Sequence, residues 1–156
     1  MKPKMSRREL SNNNLIWDAV INVLSEGEDT EENDLFNEAF SVYQYYSAME
    51  GGGHENLFNW CSEEIEEKGV TAYIRELSVN LEKIGAHEYA NIVEKYVEEL
   101  WRLFIKLENE EIEDVIFLDF VEKADQEYYN LDKKLDKLLE KYFISIHTKL
   151  IDVVEN

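Results

Sequence analysis

The residues of this chain that could carry chemistry are three histidines (His54, His87, His147), one cysteine (Cys61), a triple glycine at 51–53 and a large stock of carboxylates. A zinc site needs thiolates and imidazoles at short, recurrent spacings, and a helical dicarboxylate metal site needs Glu-x-x-His on two helices. Neither pattern occurs: Glu-x-x-His is absent from the sequence, and His54 stands seven residues before the lone thiol. Nucleophilic use of Cys61 would require an electropositive setting, but Ser62-Glu63-Glu64 follows it and opposes thiolate formation. The glycines are followed by His-Glu-Asn and not by the Lys-Ser/Thr of a phosphate loop, so they read as a tight turn between helices. The expectation is a protein with no catalytic centre, no metal and no cofactor, and not an enzyme.

The carboxylates are more informative through their placement. The net charge is −19, and two blocks hold nearly all of it: residues 25–70 carry −12 and residues 108–127 carry −8. Within them, Glu28, Asp29, Glu31 and Glu32 form one cluster, and two further groups have helical spacing: Glu63, Glu66 and Glu67, then Glu110, Glu113 and Asp114. Carboxylates three or four residues apart on a helix sit on one face about 5–6 Å apart. Such rows imitate a phosphate track and attract a basic surface, while repelling nucleic acid and anionic lipid. These ten residues are the candidate partner-binding surface, with a basic protein as the partner. Lys133, Lys134, Lys137 and Lys141 dilute the field near the C-terminus.

The elements that must position these residues read as helices. LIWDAVINVL (15–24) is a first helix, and a second over 33–49 has Phe36, Phe40, Tyr43 and Tyr46 on its apolar side. The glycines end it; a short helical piece at 55–60 and an acidic turn, SEEIEEKG, follow. Helices over 70–84 and 86–107 are separated by Gly85, the second carrying the apolar stripe Tyr89, Val93, Tyr96, Val97, Leu100, Phe104 and Leu107. Residues 111–130 make one or two helices, with VIFLDF (115–120) the one place for a short strand. A last helix over 131–154 turns Leu135, Leu138, Tyr142, Ile146 and Leu150 inward. Neighbouring tyrosines cannot share a narrow stripe, so Tyr45, and one of Tyr128 and Tyr129, should be partly exposed. The fold expected is an all-α, single-domain bundle of about six to seven helices over 15–156, preceded by a flexible basic segment, 1–14. The basic N-terminus lacks the apolar core of a secretory signal, and no run approaches the roughly 18 apolar residues that cross a bilayer. With one cysteine no internal disulfide can form, which suits the cytoplasm.

YQYYSAMEGGGHENLFNW (43–60) resembles the signature of a bacterial family of uncharacterised domains typified by an acidic DNA-mimic protein. Gly52, Gly53, Phe58 and Asn59 match that signature, while Gly51 stands where Asn is usual and His54 replaces a Phe. LEKIGAHEYANIV (81–93), with Gly85, and DQEYYNLDKKLDKLLEKYF (125–143) resemble two later stretches in the same order. The resemblance implies a helical fold and a homodimer. It gives the motif a fold-building role: the glycines as a turn, Phe58 as a core plug and Asn59 bonded to local backbone. It also implies that surface carboxylates stand in for DNA phosphates on the basic face of a DNA-binding protein. An acidic immunity protein that neutralises a basic toxin or nuclease is the alternative that charge allows.

Overall fold

A computed structural model describes residues 3–26, 34–132 and 134–155. Among these are seven α-helices: α1 (Asn13–Glu26), α2 (Asp34–Gly51), α3 (His54–Lys68), α4 (Val70–Lys83), α5 (His87–Glu108), α6 (Asp114–Asn130) and α7 (Lys134–Leu150). Asn12 accepts the Leu15 amide at 2.9 Å and so caps α1. Gly85, at φ 85°, closes α4 with paired bonds from its own amide to Glu82 and from Ala86 to Leu81. At the end of α5 the same closure falls on Glu110, at φ 60°, with the Glu111 amide reaching back to Lys106 at 2.8 Å.

The all-α bundle expected from the sequence is the architecture observed, and several of its parts differ in detail. α2 lies centrally, against α1, α3, α4 and α7, while α5 packs between α4 and α6. A helix covered on several sides buries a wide arc. The residues of α2 that go inward are therefore Phe36, Ala39, Val42, Tyr45, Ala48 and Met49. Phe40, Tyr43 and Tyr46 form its half-buried rim, one residue round from the stripe expected. Tyr45, expected to be partly exposed, is fully buried. The expectation holds for the other pair: Tyr128 is buried and Tyr129 half exposed.

SEEIEEK is helix and not turn. Ile65 lies one turn beyond Cys61 on the buried side of α3 and is itself fully buried, which carries the helix to Gly69. VIFLDF is likewise helical, with only Phe117 of its six residues buried. A short strand does occur, but at the chain ends. β1 (Lys4–Ser6) pairs in parallel with β2 (Asp152–Val154), Met5 opposite Val153, so α7 stops at Leu150. Ser6 and Glu9 exchange side chain-to-amide bonds in a reciprocal cap on the 3-10 turn that follows (Arg8–Leu10). β1 and this cap both fall within the basic N-terminal segment. No helix among the described residues is long and apolar enough to cross a membrane.

Candidate partner-binding surface

On α3 the apolar residues Leu57, Phe58, Cys61 and Ile65 face the core. That orientation leaves Glu63, Glu66 and Glu67 exposed along one helix, where the spacing alone had placed them. Glu64, between them, is drawn to Lys68 at 3.0 Å, and Lys68 also reaches Glu76 of α4 at 2.7 Å. The second group spans the α5–α6 turn. Glu110 occupies the left-handed position, Glu113 precedes α6 in extended backbone, and Asp114 opens its first turn. All three are exposed, and Asp114 is stabilised by the positive end of the helix dipole. Glu28, Asp29, Glu31 and Glu32 lie outside the described residues. α3 packs against α6, and of the second group only Asp114 lies on that helix.

The apolar surface beside the second group becomes visible only in the fold. Val115, Ile116 and Leu118 are 54%, 49% and 46% exposed, immediately after Glu113 and Asp114. Read as a strand, the segment offered no reason for both faces to be apolar. As a helix, α6 turns Phe117, Val121, Ala124 and Tyr128 to the core and leaves Val115, Ile116 and Leu118 outside.

The most concentrated chemistry lies elsewhere, around His54, and its carboxylate was missed because it sits 71 residues away. His54 is fully buried. Its Nδ1 faces Asp125 Oδ1 at 2.7 Å, and its Nε2 faces the Tyr45 hydroxyl at 3.0 Å. The same Asp125 oxygen accepts the His54 backbone amide at 2.9 Å, so a carboxylate from α6 caps the N-terminus of α3. The order phenol, imidazole, carboxylate is that of a proton relay, yet Tyr45 and His54 have no exposed surface for a substrate to reach. Burial raises the Tyr45 pKa well above that of an ordinary phenol, so the hydroxyl keeps its proton. The arrangement is a buried clamp joining α2, α3 and α6.

The other chemical candidates separate. Cys61 is buried, and burial pushes its thiol up to about 11, with Glu64 adding to the shift and a bond to Tyr73 opposing it. A nucleophile would need the reverse. His87 pairs with Glu82 at the surface, and His147 bonds the Ile144 carbonyl. No group of three or more His, Cys, Asp or Glu among the described residues could hold a metal.

Of the motif residues, Gly52 and Gly53 form the α2–α3 turn, their amides both reaching the Ala48 carbonyl. Phe58 is fully buried against Trp101 and Phe104, with ring centroids 5.6 and 5.4 Å away. Asn59 needs correcting: it is exposed, and the asparagine that bonds local backbone is Asn56, whose side-chain amide donates to Ala48 at 3.1 Å. Asn56 lies on the side of α3 that faces back towards the end of α2, and Asn59 does not.

No curated protein and no solved structure matches the chain. A family model described as DMP19-like protein matches residues 21–147, which takes in α2 to α6 whole, the end of α1 and most of α7. The clamp, the glycine turn and both described carboxylate groups fall within that match, and the chain belongs to this DNA-mimic family, the DMP19-like proteins.

Proposed function

We propose that this chain is a non-enzymatic acidic binding protein, a DNA mimic that occupies the basic DNA-binding surface of a partner protein. The observation that carries this reading is the exposed row Glu63, Glu66 and Glu67 on one continuous helix. Carboxylates so spaced can meet lysines and arginines that otherwise contact phosphates. Glu110, Glu113 and Asp114, in the α5–α6 turn and at the start of α6, and Glu28, Asp29, Glu31 and Glu32 are the further carboxylates assigned to this surface. Membership of a DNA-mimic family supports the same reading and points to a DNA-binding protein as the partner. A homodimer in the bacterial cytoplasm completes it, and the single buried thiol is compatible with that compartment.

The test is capture of partners from lysate of the source bacterium by the tagged protein at about 50 mM salt and again at about 200 mM. A partner held by several ionic contacts should lose affinity by about tenfold or more over that range. The captured protein should be displaced by duplex DNA and lost when Glu63, Glu66 and Glu67 are all changed to Lys. Capture that ignores salt, competing DNA and the triple change would refute the mimic reading. Sedimentation of the pure protein tests the dimer.

A further inference from the structure

A separate cleft lies where the end of α2, the end of α6 and the start of α7 converge. Its volume is about 360 Å³, at the small end for a ligand pocket, and Met49 and Leu135 supply its apolar surface. Glu50 of α2, Asp132 of the α6–α7 connection and Asp136 of α7 line it. No lysine or arginine among the described residues pairs with any of these three carboxylates. Tyr128 and Tyr129 line the same cleft with their rings perpendicular, centroids 5.5 Å apart. Tyr129 donates its hydroxyl to the Met49 carbonyl at 3.2 Å, which fixes its ring.

Tyr128 is the informative member. Its ring is packed edge-on against Tyr45 and Tyr89, and only 6% of the residue is exposed. Tyr45, Tyr89 and Tyr129 each place their hydroxyl in a hydrogen bond, whereas the Tyr128 hydroxyl has none among the described residues. Tyr128 lines the cleft with Glu50 and Asp136, and burial, with these two carboxylates adding to it, raises its pKa so that the phenol keeps its proton. The ring is buried, but the hydroxyl oxygen is open to solvent, so a donor that enters the cleft can reach it in place of water.

We infer that this cleft is a receptor for one cationic side chain of the basic partner, an arginine or a lysine. The source of that side chain rests on the function proposed above; the chemistry of the cleft does not. A guanidinium offers five N–H donors on a flat, weakly hydrated cation. It can donate to the Tyr128 oxygen and the carboxylates while its face lies on a tyrosine ring. Phosphate and carboxylate ligands are repelled by three acids, and the aromatic lining suits an organic cation over a hydrated metal ion. The cleft therefore adds a specific anchor to an otherwise diffuse acidic surface.

The test is an amide-resolved NMR titration with N-acetyl-arginine methylamide, in parallel with its neutral citrulline counterpart and with spermidine. The arginine compound should give saturable shifts at Tyr128, Tyr129 and Asp132, and the citrulline compound none. Tyr128→Phe keeps the ring and Asp132→Asn the shape, and each should weaken binding roughly fivefold. Changing Glu63, Glu66 and Glu67 to Gln should leave it unaltered. Equal response to citrulline, or equal weakening by the α3 changes, would overturn the inference. Tighter saturation of the same residues by spermidine would overturn the assignment to a side chain. A partner captured in a salt-sensitive manner but without arginine shifts at the cleft would sink the pocket and leave the mimic reading standing.

Discussion

At Gly53 two constraints coincide that are usually met separately. The backbone takes φ +90°, which an L side chain resists, and an added methyl group would meet the Asp125 carboxyl carbon at 2.8 Å. That carboxylate is the one that caps α3 and orients His54, so it cannot move without loosening both. Gly69 has nearly the same φ, +89°, but open space where a methyl would go. Gly69→Ala should therefore cost about 1 kcal/mol of backbone strain alone. Gly53→Ala should cost about 3 kcal/mol, the strain plus a displaced charged hydrogen bond. Urea unfolding of the two variants measures the difference, and equal losses would mean that the Asp125 contact is unimportant. The sequence marks Gly53 as a turn residue but cannot supply the second reason, since Asp125 is distant along the chain and one carboxylate among many.

At the scale of elements, α3 shows how an acidic run can be read both ways. SEEIEEKG has one apolar residue among seven polar or small ones, which by local composition suits a turn as well as a helix. What decides is that Ile65 falls in register with Cys61 and finds the core, and that Lys68 draws Glu64 and Glu76 together at its end. Ile65→Ala should cost about 3 kcal/mol, as for other fully buried large-to-small changes. Glu66→Ala, on the outer face, should stay within about 0.5 kcal/mol. Chemical denaturation followed by far-ultraviolet dichroism distinguishes the two, and a small effect at Ile65 would return the segment to a turn. The same reasoning bears on the proposed surface, because a turn would scatter Glu63, Glu66 and Glu67 where a helix aligns them.

For the whole molecule, the charge acts on folding and on binding with opposite signs. A net −19 on a chain of this size makes the folded state repel itself, and described lysines and arginines relieve this only locally, as at Lys95–Glu127 and Lys83–Glu38. Raising salt from about 10 mM to about 300 mM shortens the screening length from about 30 Å to below 10 Å. The melting temperature should then rise by about 4 °C, equivalent to roughly 1 kcal/mol at this length. Affinity for a basic partner should fall over the same range. Calorimetry and binding measured in one salt series would show the two trends crossing, and a stability that fell with salt would contradict this account of the charge.

The division between sequence and tertiary structure follows from the range of the forces involved. Helical periodicity and glycine stops are local, so the sequence by itself determined an all-α chain, its helix order and the family. The burial of Tyr45 depends on α2 being covered from several sides, and the pairing of residues 4–6 with 152–154 on bringing the two chain ends together. The His54 clamp and the tyrosine-lined cleft each need side chains from three elements at one point. Composition can say that this chain is acid enough to meet a basic partner. Only packing selects which few carboxylates stand beside the Tyr128 phenol, because that choice is made by contacts between residues that are far apart in the chain.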